Sequence, residues 1–316
     1  MRISEFVRRR SGMWKEFEQL LDRGKQADPE SVSLLYMDVI DDLAYAKAQY
    51  PSSIVCKYLN QLALRAHSMV YSMRRDRFGN VIRFWTTSGP EAMLAIRPDI
   101  VLSAIVLLLT IAVGVVGTLI DERFVRGILG NAYVDMTIRN IEAGNPLGVY
   151  GQEDVFPMFA MIAVNNVVVM LRLSVMGLLT LLVPVALIAY HGFMLGAFHT
   201  LFFRYGVLGE SLAGVYVHGA MEISALIVSG AAGIHLGRSI LFPATFTRVE
   251  AFRRGGLTAV RVAMAMLPFI VVAAFLESTV TRYAGTLPLL LNLAIIAATL
   301  FVTWWYVLVL PKSIKD

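Results

Sequence analysis

From residue 100 onward the chain is a succession of long apolar segments, and no other feature constrains its fold as strongly. "IVLLLTIAVGVVGTLI" inside 100–120 is the clearest of them. Others lie at about 155–171, 173–195, 211–236, 258–277 and 287–310. A helix rises 1.5 Å per residue, so roughly 20 apolar residues cross the ~30 Å hydrocarbon core of a bilayer. A segment in lipid must satisfy its own backbone hydrogen bonds, which makes these segments helices.

Composition agrees with that pattern. The chain is 57% hydrophobic and 16% charged, with a mean hydropathy of +0.65, too apolar for an ordinary soluble domain. The charge is unevenly spread. Residues 1–98 hold 15 Lys/Arg and 11 Asp/Glu, whereas the apolar segments begin at Ile100. The expected organisation is therefore a soluble, cytoplasmic helical domain over 1–98 and a transmembrane helical domain over 99–316. The start "MRISEFVRRRSGMWKEFEQLL" places charges where a secretory signal would be apolar, so no signal peptide is expected.

The N-terminal part reads as three helices. Phe6, Trp14, Phe17, Leu20 and Leu21 recur at a 3–4 spacing. A second helix starts with Asp28 as N-cap, Pro29 at the first helical position and Glu30 in the first turn, and runs to about Tyr50. A third restarts after Pro51 with Ser52 or Ser53 as its cap. The lone cysteine, Cys56, has no intrachain partner and reads as a core thiol in a reducing compartment. The following stretch mixes Arg74, Arg75, Arg77 and Arg83 with Phe84 and Trp85, the make-up of a segment at the headgroup level.

Charge also predicts topology. The connection 121–156 carries six acids (Asp121, Glu122, Asp135, Glu142, Glu153, Asp154) against three arginines and is assigned outside. Region 238–256 carries Arg238, Arg248, Arg253 and Arg254 against Glu250 and is assigned inside. Between them 155–203 must cross twice or not at all, and Arg172 interrupts it without a clear loop. Lys312 and Lys315 place the C-terminus inside. The fold class is all-α: a polytopic α-helical membrane bundle of six crossings, or four plus a re-entrant hairpin, with an N-terminal soluble helical bundle. The location expected is the bacterial cytoplasmic (inner) membrane, with both termini cytoplasmic.

Polar residues inside the apolar segments mark the candidate site. In "HGAMEISALIVSGAAGIHLG", Glu222 sits mid-span, where a carboxylate costs several kcal/mol unless it is partnered or protonated. His218 lies one turn earlier on the same face and Ser229 two turns later. Arg172 is the obvious counter-charge. Three readings stay open: a structural ion pair or hydrogen-bond network, a proton or ion pathway, and a metal site. The last lacks a second His/Glu motif to complete a ligand set, so no metal is assigned. His191, His199 and His235 lie near span ends and read as interfacial or capping groups. The adjacent amides Asn165 and Asn166 point to different helix faces, which favours a local helix break, with two separate interhelical bonds as the alternative.

Small residues recur at helix-packing spacing: Gly192 with Gly196, and Gly230 and Gly233 with Gly237. Packing within one chain is the simpler use of such patterns, and a homo-oligomer stays open. No phosphate loop, zinc-protease signature or nucleophile elbow is present, so no catalytic residue and no cofactor is assigned. The net charge of +5 comes from arginines beside membrane segments and does not indicate a nucleic-acid partner.

Several separated blocks carry a family resemblance: "AVNNVVVMLRLSVMGLLT", "YHGFMLGAFHTLF", "VHGAMEISALIVSGAAGIHLGRSILFP" and "PFIVVAAFLESTVTR". Together they resemble the stage II sporulation protein M family of integral membrane proteins. "WKEFEQLL", "DLAYAKAQYPSS" and "YLNQLALRAHSMVY" are similar to the cytoplasmic helical domain of that family's longer branch. The resemblance implies a non-enzymatic membrane scaffold or anchor in cell-envelope (peptidoglycan) remodelling. It implies partners such as envelope hydrolases, MoxR-type ATPases and von Willebrand factor A-type proteins, with RDD membrane proteins encoded nearby. The matching motif positions are Asn165, Asn166, Gly192, Gly196, His218, Gly219, Glu222, Gly230 and Gly233, and the family assigns them no chemistry. Read from the residues alone, the other function class is a small-solute or ion transporter or channel with Glu222 at a midplane polar site. A membrane hydrolase using Glu222 and His218 would need a nucleophile or a complete metal set.

Overall fold

The structure is a computed structural model that describes residues 3–22, 29–73, 81–151 and 154–314. Asp28, Arg74, Arg75, Arg77, Glu153 and Lys315, and the side chain of Glu30, lie outside the described residues. The chain is 89% helical with no strand among the described residues, so the fold class is all-α. It divides into two compact units, Met1–Ile82 and Arg83–Asp316.

The first unit holds α1 (Ile3–Asp22), α2 (Pro29–Gln49) and α3 (Ile54–Met73). Phe6, Trp14, Phe17 and Leu21 form the buried face of α1, with Leu20 half-buried beside them. Their spacing puts them on one stripe, which closes on Val39 and Leu43 of α2 and Leu59 of α3. Cys56 is buried in this core as a free thiol. Ser53 caps α3, its Oγ accepting from the Cys56 N–H at 3.1 Å. Asp42 is a buried charge in this unit, held by Arg10 Nε at 2.8 Å and Trp14 Nε1 at 2.7 Å. The Asp42 carboxylate raises the Arg10 guanidinium above its ordinary pKa by hydrogen bonding.

The second unit contains six helices long and apolar enough to cross a membrane. After α4 (Gly89–Ala95) comes the first, α5 (Arg97–Ile120). Two short helices, α6 (Glu122–Leu129) and α7 (Asn131–Glu142), follow. Next are α8 (Val155–Val175), extended by a 3₁₀ turn over Met176–Leu178, and α9 (Leu182–Arg204). Then come α10 (Leu208–Leu241), α11 (Arg248–Thr279) with a turn at Thr281–Tyr283, and α12 (Leu289–Trp304) with a π-helical turn at Trp305–Val309. The chain is a multi-pass membrane protein.

Region 155–203 therefore supplies two full-length helices, and the six-crossing alternative holds over the re-entrant hairpin. The division between them falls at 179–181, not at Arg172. Arg172 is exposed on α8, so its charge never enters the packed interior and the helix continues past it. Asn165 and Asn166 lie within the same uninterrupted helix, so the expected local break is absent. Residues 83–98, grouped above with the N-terminal part, belong to the second unit: Met93 and Ile96 are fully buried in its core. Phe84 and Trp85 are half-buried against that core.

Helix α10 is the axis of the bundle. Two thirds of its most apolar window (67%) is buried, against 22% for α5, α8 and α12. Lipid tails are as apolar as Leu, so close backbone approach replaces hydrophobic burial as the source of tight packing. The glycines provide that approach. A Cβ on Gly177 would run into the Gly233 carbonyl oxygen, and one on Gly233 into the Leu173 carbonyl. Gly192 and Gly196 bring α9 onto Leu107, Thr110 and Ile111 of α5 in the same way. Gly230 meets Ile188, and Gly237 meets the Leu181 backbone.

Candidate intramembrane site

Glu222 comes from the middle of α10 and His218 from one turn before it, on the face turned to α11. Helix α11 runs antiparallel to α10 here. One turn back along it from Thr281 stands Glu277, so the pairs His218/Thr281 and Glu222/Glu277 face each other at matching levels.

The contacts form a short polar ladder. His218 Nδ1 lies 2.9 Å from Thr281 Oγ1. His218 Nε2 lies 3.8 Å from Glu277 Oε1. The Glu222 and Glu277 carboxyls lie within 4.8 Å of each other, and Asn166 Nδ2 of α8 donates to Glu222 Oε1. One ligand-type atom from each of His218, Glu222 and Glu277 lies within 4.8 Å of the others. His218 is 3% exposed. Among the described residues, neither carboxyl has a Lys or Arg ion pair. Two carboxyls this close in a low-dielectric interior repel each other unless a positive charge lies between them.

Beside Glu222 the helices part to leave a cavity of about 190 Å³. Its polar lining is Asn165, Asn166, His191 and Glu222. The space is roomy and polar enough for several waters. His191 sits mid-helix on α9 and donates from Nδ1 to the Leu187 carbonyl at 2.7 Å, since a carbonyl only accepts. Helix α7 contributes Tyr133 near the acid pair. Burial first, and the charge of Glu277 second, raise the Tyr133 phenol above its ordinary pKa.

The residues singled out from sequence divide into those brought together and those held apart. Glu222, Asn166 and Asn165 share the cavity, and His218 joins Glu222 through Glu277. Arg172 is not the counter-charge. It lies six residues past Asn166, roughly 120° around α8, on the exposed surface. Ser229 shares the Glu222 face but is two turns away in the glycine-packed half, fully buried, its carbonyl 3.5 Å from Ser174 Oγ. His199 pairs with Ser211 at 3.1 Å and stacks on Tyr216. His235 Nδ1 and Arg238 Nη2 hold the buried Asp99 at 3.1 and 2.9 Å, in the first turn of α5, where a helix N-terminus favours an anion.

Sequence reasoning missed Glu277 and Asp99. Glu277 closes the apolar run "PFIVVAAFLE", where an acid passes for the polar end of a span. Its signal was the partner spacing: Glu277 and Thr281 repeat the i,i+4 interval of His218 and Glu222.

Comparison with known families adds two findings. The family model described as stage II sporulation protein M matches residues 100–282. A second model, described as a domain of unknown function (DUF8413), matches residues 4–72. No curated protein and no solved structure matches the chain.

Proposed function

The chain belongs to the stage II sporulation protein M family, and from that premise we propose that it is a non-enzymatic membrane scaffold for cell-envelope remodelling. Its N-terminal helical unit would face the cytoplasm and dock soluble partners of the MoxR-type ATPase or von Willebrand factor A class. The acidic connection 121–156 would face envelope enzymes outside. The observation that supports a scaffold over a conduit is the backbone-to-backbone packing of α10 against α8 and α9. At Gly177, Gly233 and Gly237 a single Cβ has no room, so that half of the bundle is rigid and closed.

The N-terminal unit also exposes neighbouring apolar side chains on α2, Leu34 at 65% and Met37 at 64% exposure. They give the docking reading a handle. In the native host, Leu34→Asp/Met37→Asp should abolish co-purification of the ATPase partner while leaving membrane insertion intact. Unchanged recovery of that ATPase in the double variant would argue against docking through this unit.

A second reading rests on the cavity at Glu222, whose polar lining suits a proton or small cation. Glu222→Gln separates the two readings. A scaffold keeps its partners, because the amide oxygen still accepts from Asn166. A proton-coupled transporter loses flux, because glutamine does not titrate.

A further inference from the structure

The geometry points to a divalent metal site formed by His218 Nε2 and the carboxylates of Glu222 and Glu277, taking a first-row ion such as Zn²⁺ or Mn²⁺ that staples α10 to α11. The donor set is one imidazole and two carboxylates, which suits such ions. Bonds of about 2.0–2.2 Å in a tetrahedral shell place ligand atoms about 3.4 Å apart. His218 Nε2 and Glu277 Oε1 stand 3.8 Å apart, and the whole set lies within 4.8 Å, so small side-chain rotations close it.

Charge balance points the same way. Two carboxylates, a dication and a neutral imidazole sum to zero, the cheapest net charge for a site in low dielectric. The supporting shell is already in place. Thr281 fixes the His218 ring from Nδ1, and Asn166 fixes Glu222, the kind of outer contacts that orient metal ligands. Of the three ligands Glu222 lines the polar cavity, which offers the ion an approach from the α8 and α9 side. The inference is independent of the scaffold reading, since a structural metal serves any bundle that needs α10 and α11 locked.

The test uses the full chain in lipid nanodiscs, stripped with chelator and titrated with Zn²⁺, Mn²⁺ and Co²⁺ salts alone. Wild type should take up about one equivalent, with affinity weakened at least about tenfold in Glu277→Gln and in His218→Ala. Asp99→Asn, which alters a different polar cluster, should bind as wild type does. Wild-type uptake below about 0.1 equivalent at about 100 µM metal would overturn the site. So would undiminished binding in both ligand variants. Should those variants fail to fold, X-ray absorption of the Co²⁺-loaded wild type decides. One imidazole with oxygen ligands supports the site, and a shell without imidazole overturns it.

Discussion

Helix α10 has two unlike halves. From Leu208 to about Leu226 it buries polar groups and borders a cavity; His218, Glu222 and Ser211 all find partners on neighbouring helices. From about Ile227 to Gly237 it presents Gly and Ala, and its neighbours arrive backbone first. Both halves solve the problem of cohesion in a solvent that offers no hydrophobic reward. One half uses hydrogen bonds, which need space and a defined set of partners. The other uses dispersion at minimum distance, which needs the side chains removed. The two solutions fail differently, and substitutions along one helix can tell them apart.

The largest effect belongs to the packed half. Gly177→Leu would drive a side chain into the Gly233 carbonyl and the Gly237 amide, where neither backbone can yield. Overpacking a core costs about 1–3 kcal/mol when side chains can shift, and more against backbone. The variant should give no monodisperse protein on size-exclusion chromatography in detergent. Normal yield and melting would show that the packed half is looser than its geometry.

Next comes Asp99→Ala, beside the packed half. It strips His235 and Arg238 of their shared acceptor. Arg238 is 44% exposed in its side chain and can turn to water, which keeps the loss to about 2 kcal/mol. Thermal melting should fall by several degrees, and Asp99→Asn should recover part of the loss. A melting point equal to wild type would make the cluster incidental.

In the polar half the loss depends on what replaces the carboxyl. Glu222→Gln keeps an acceptor for Asn166 and nearly the same volume, so stability should drop by about 1 kcal/mol or less. Glu222→Ala leaves Asn166 without its acceptor and should cost about 1–2 kcal/mol. Melting in the same nanodiscs reads the gap between the two variants. Equal losses would mean that neither the bond to Asn166 nor the filled volume holds this half together.

This division explains what the sequence could reveal. The six spans and the N-terminal bundle were legible because apolar length and 3.6-residue periodicity are local properties. Glu222 was legible because one carboxylate in mid-span is anomalous wherever its helix packs. Its partners were not legible. Arg172 was the conspicuous cation, but a span's hydropathy does not say which face points inward, and Arg172 faces out. Glu277 was hidden by its place at the apparent end of a span; the helix in fact continues to Thr279, with Thr281 one turn beyond Glu277 in register with His218. Asn165 and Asn166 suggested a broken helix because two faces cannot share one interface. A cavity on the flank of α8 receives both without a break.

The smallest effect is also the sharpest discriminator between the halves. Gly219 lies in the polar half, buried next to His218, and a Cβ there would meet only Val215 Cγ1 at an ordinary 3.7 Å. Among the described residues nothing requires glycine at this position, unlike Gly233 fourteen residues on, where a Cβ meets a carbonyl. Ala is the better helix former by about 0.5–1 kcal/mol, so Gly219→Ala should raise the melting temperature slightly or leave it unchanged. A clear loss of stability would mean that the polar half is packed more tightly around Gly219 than its geometry indicates, and would erase the contrast between the two halves.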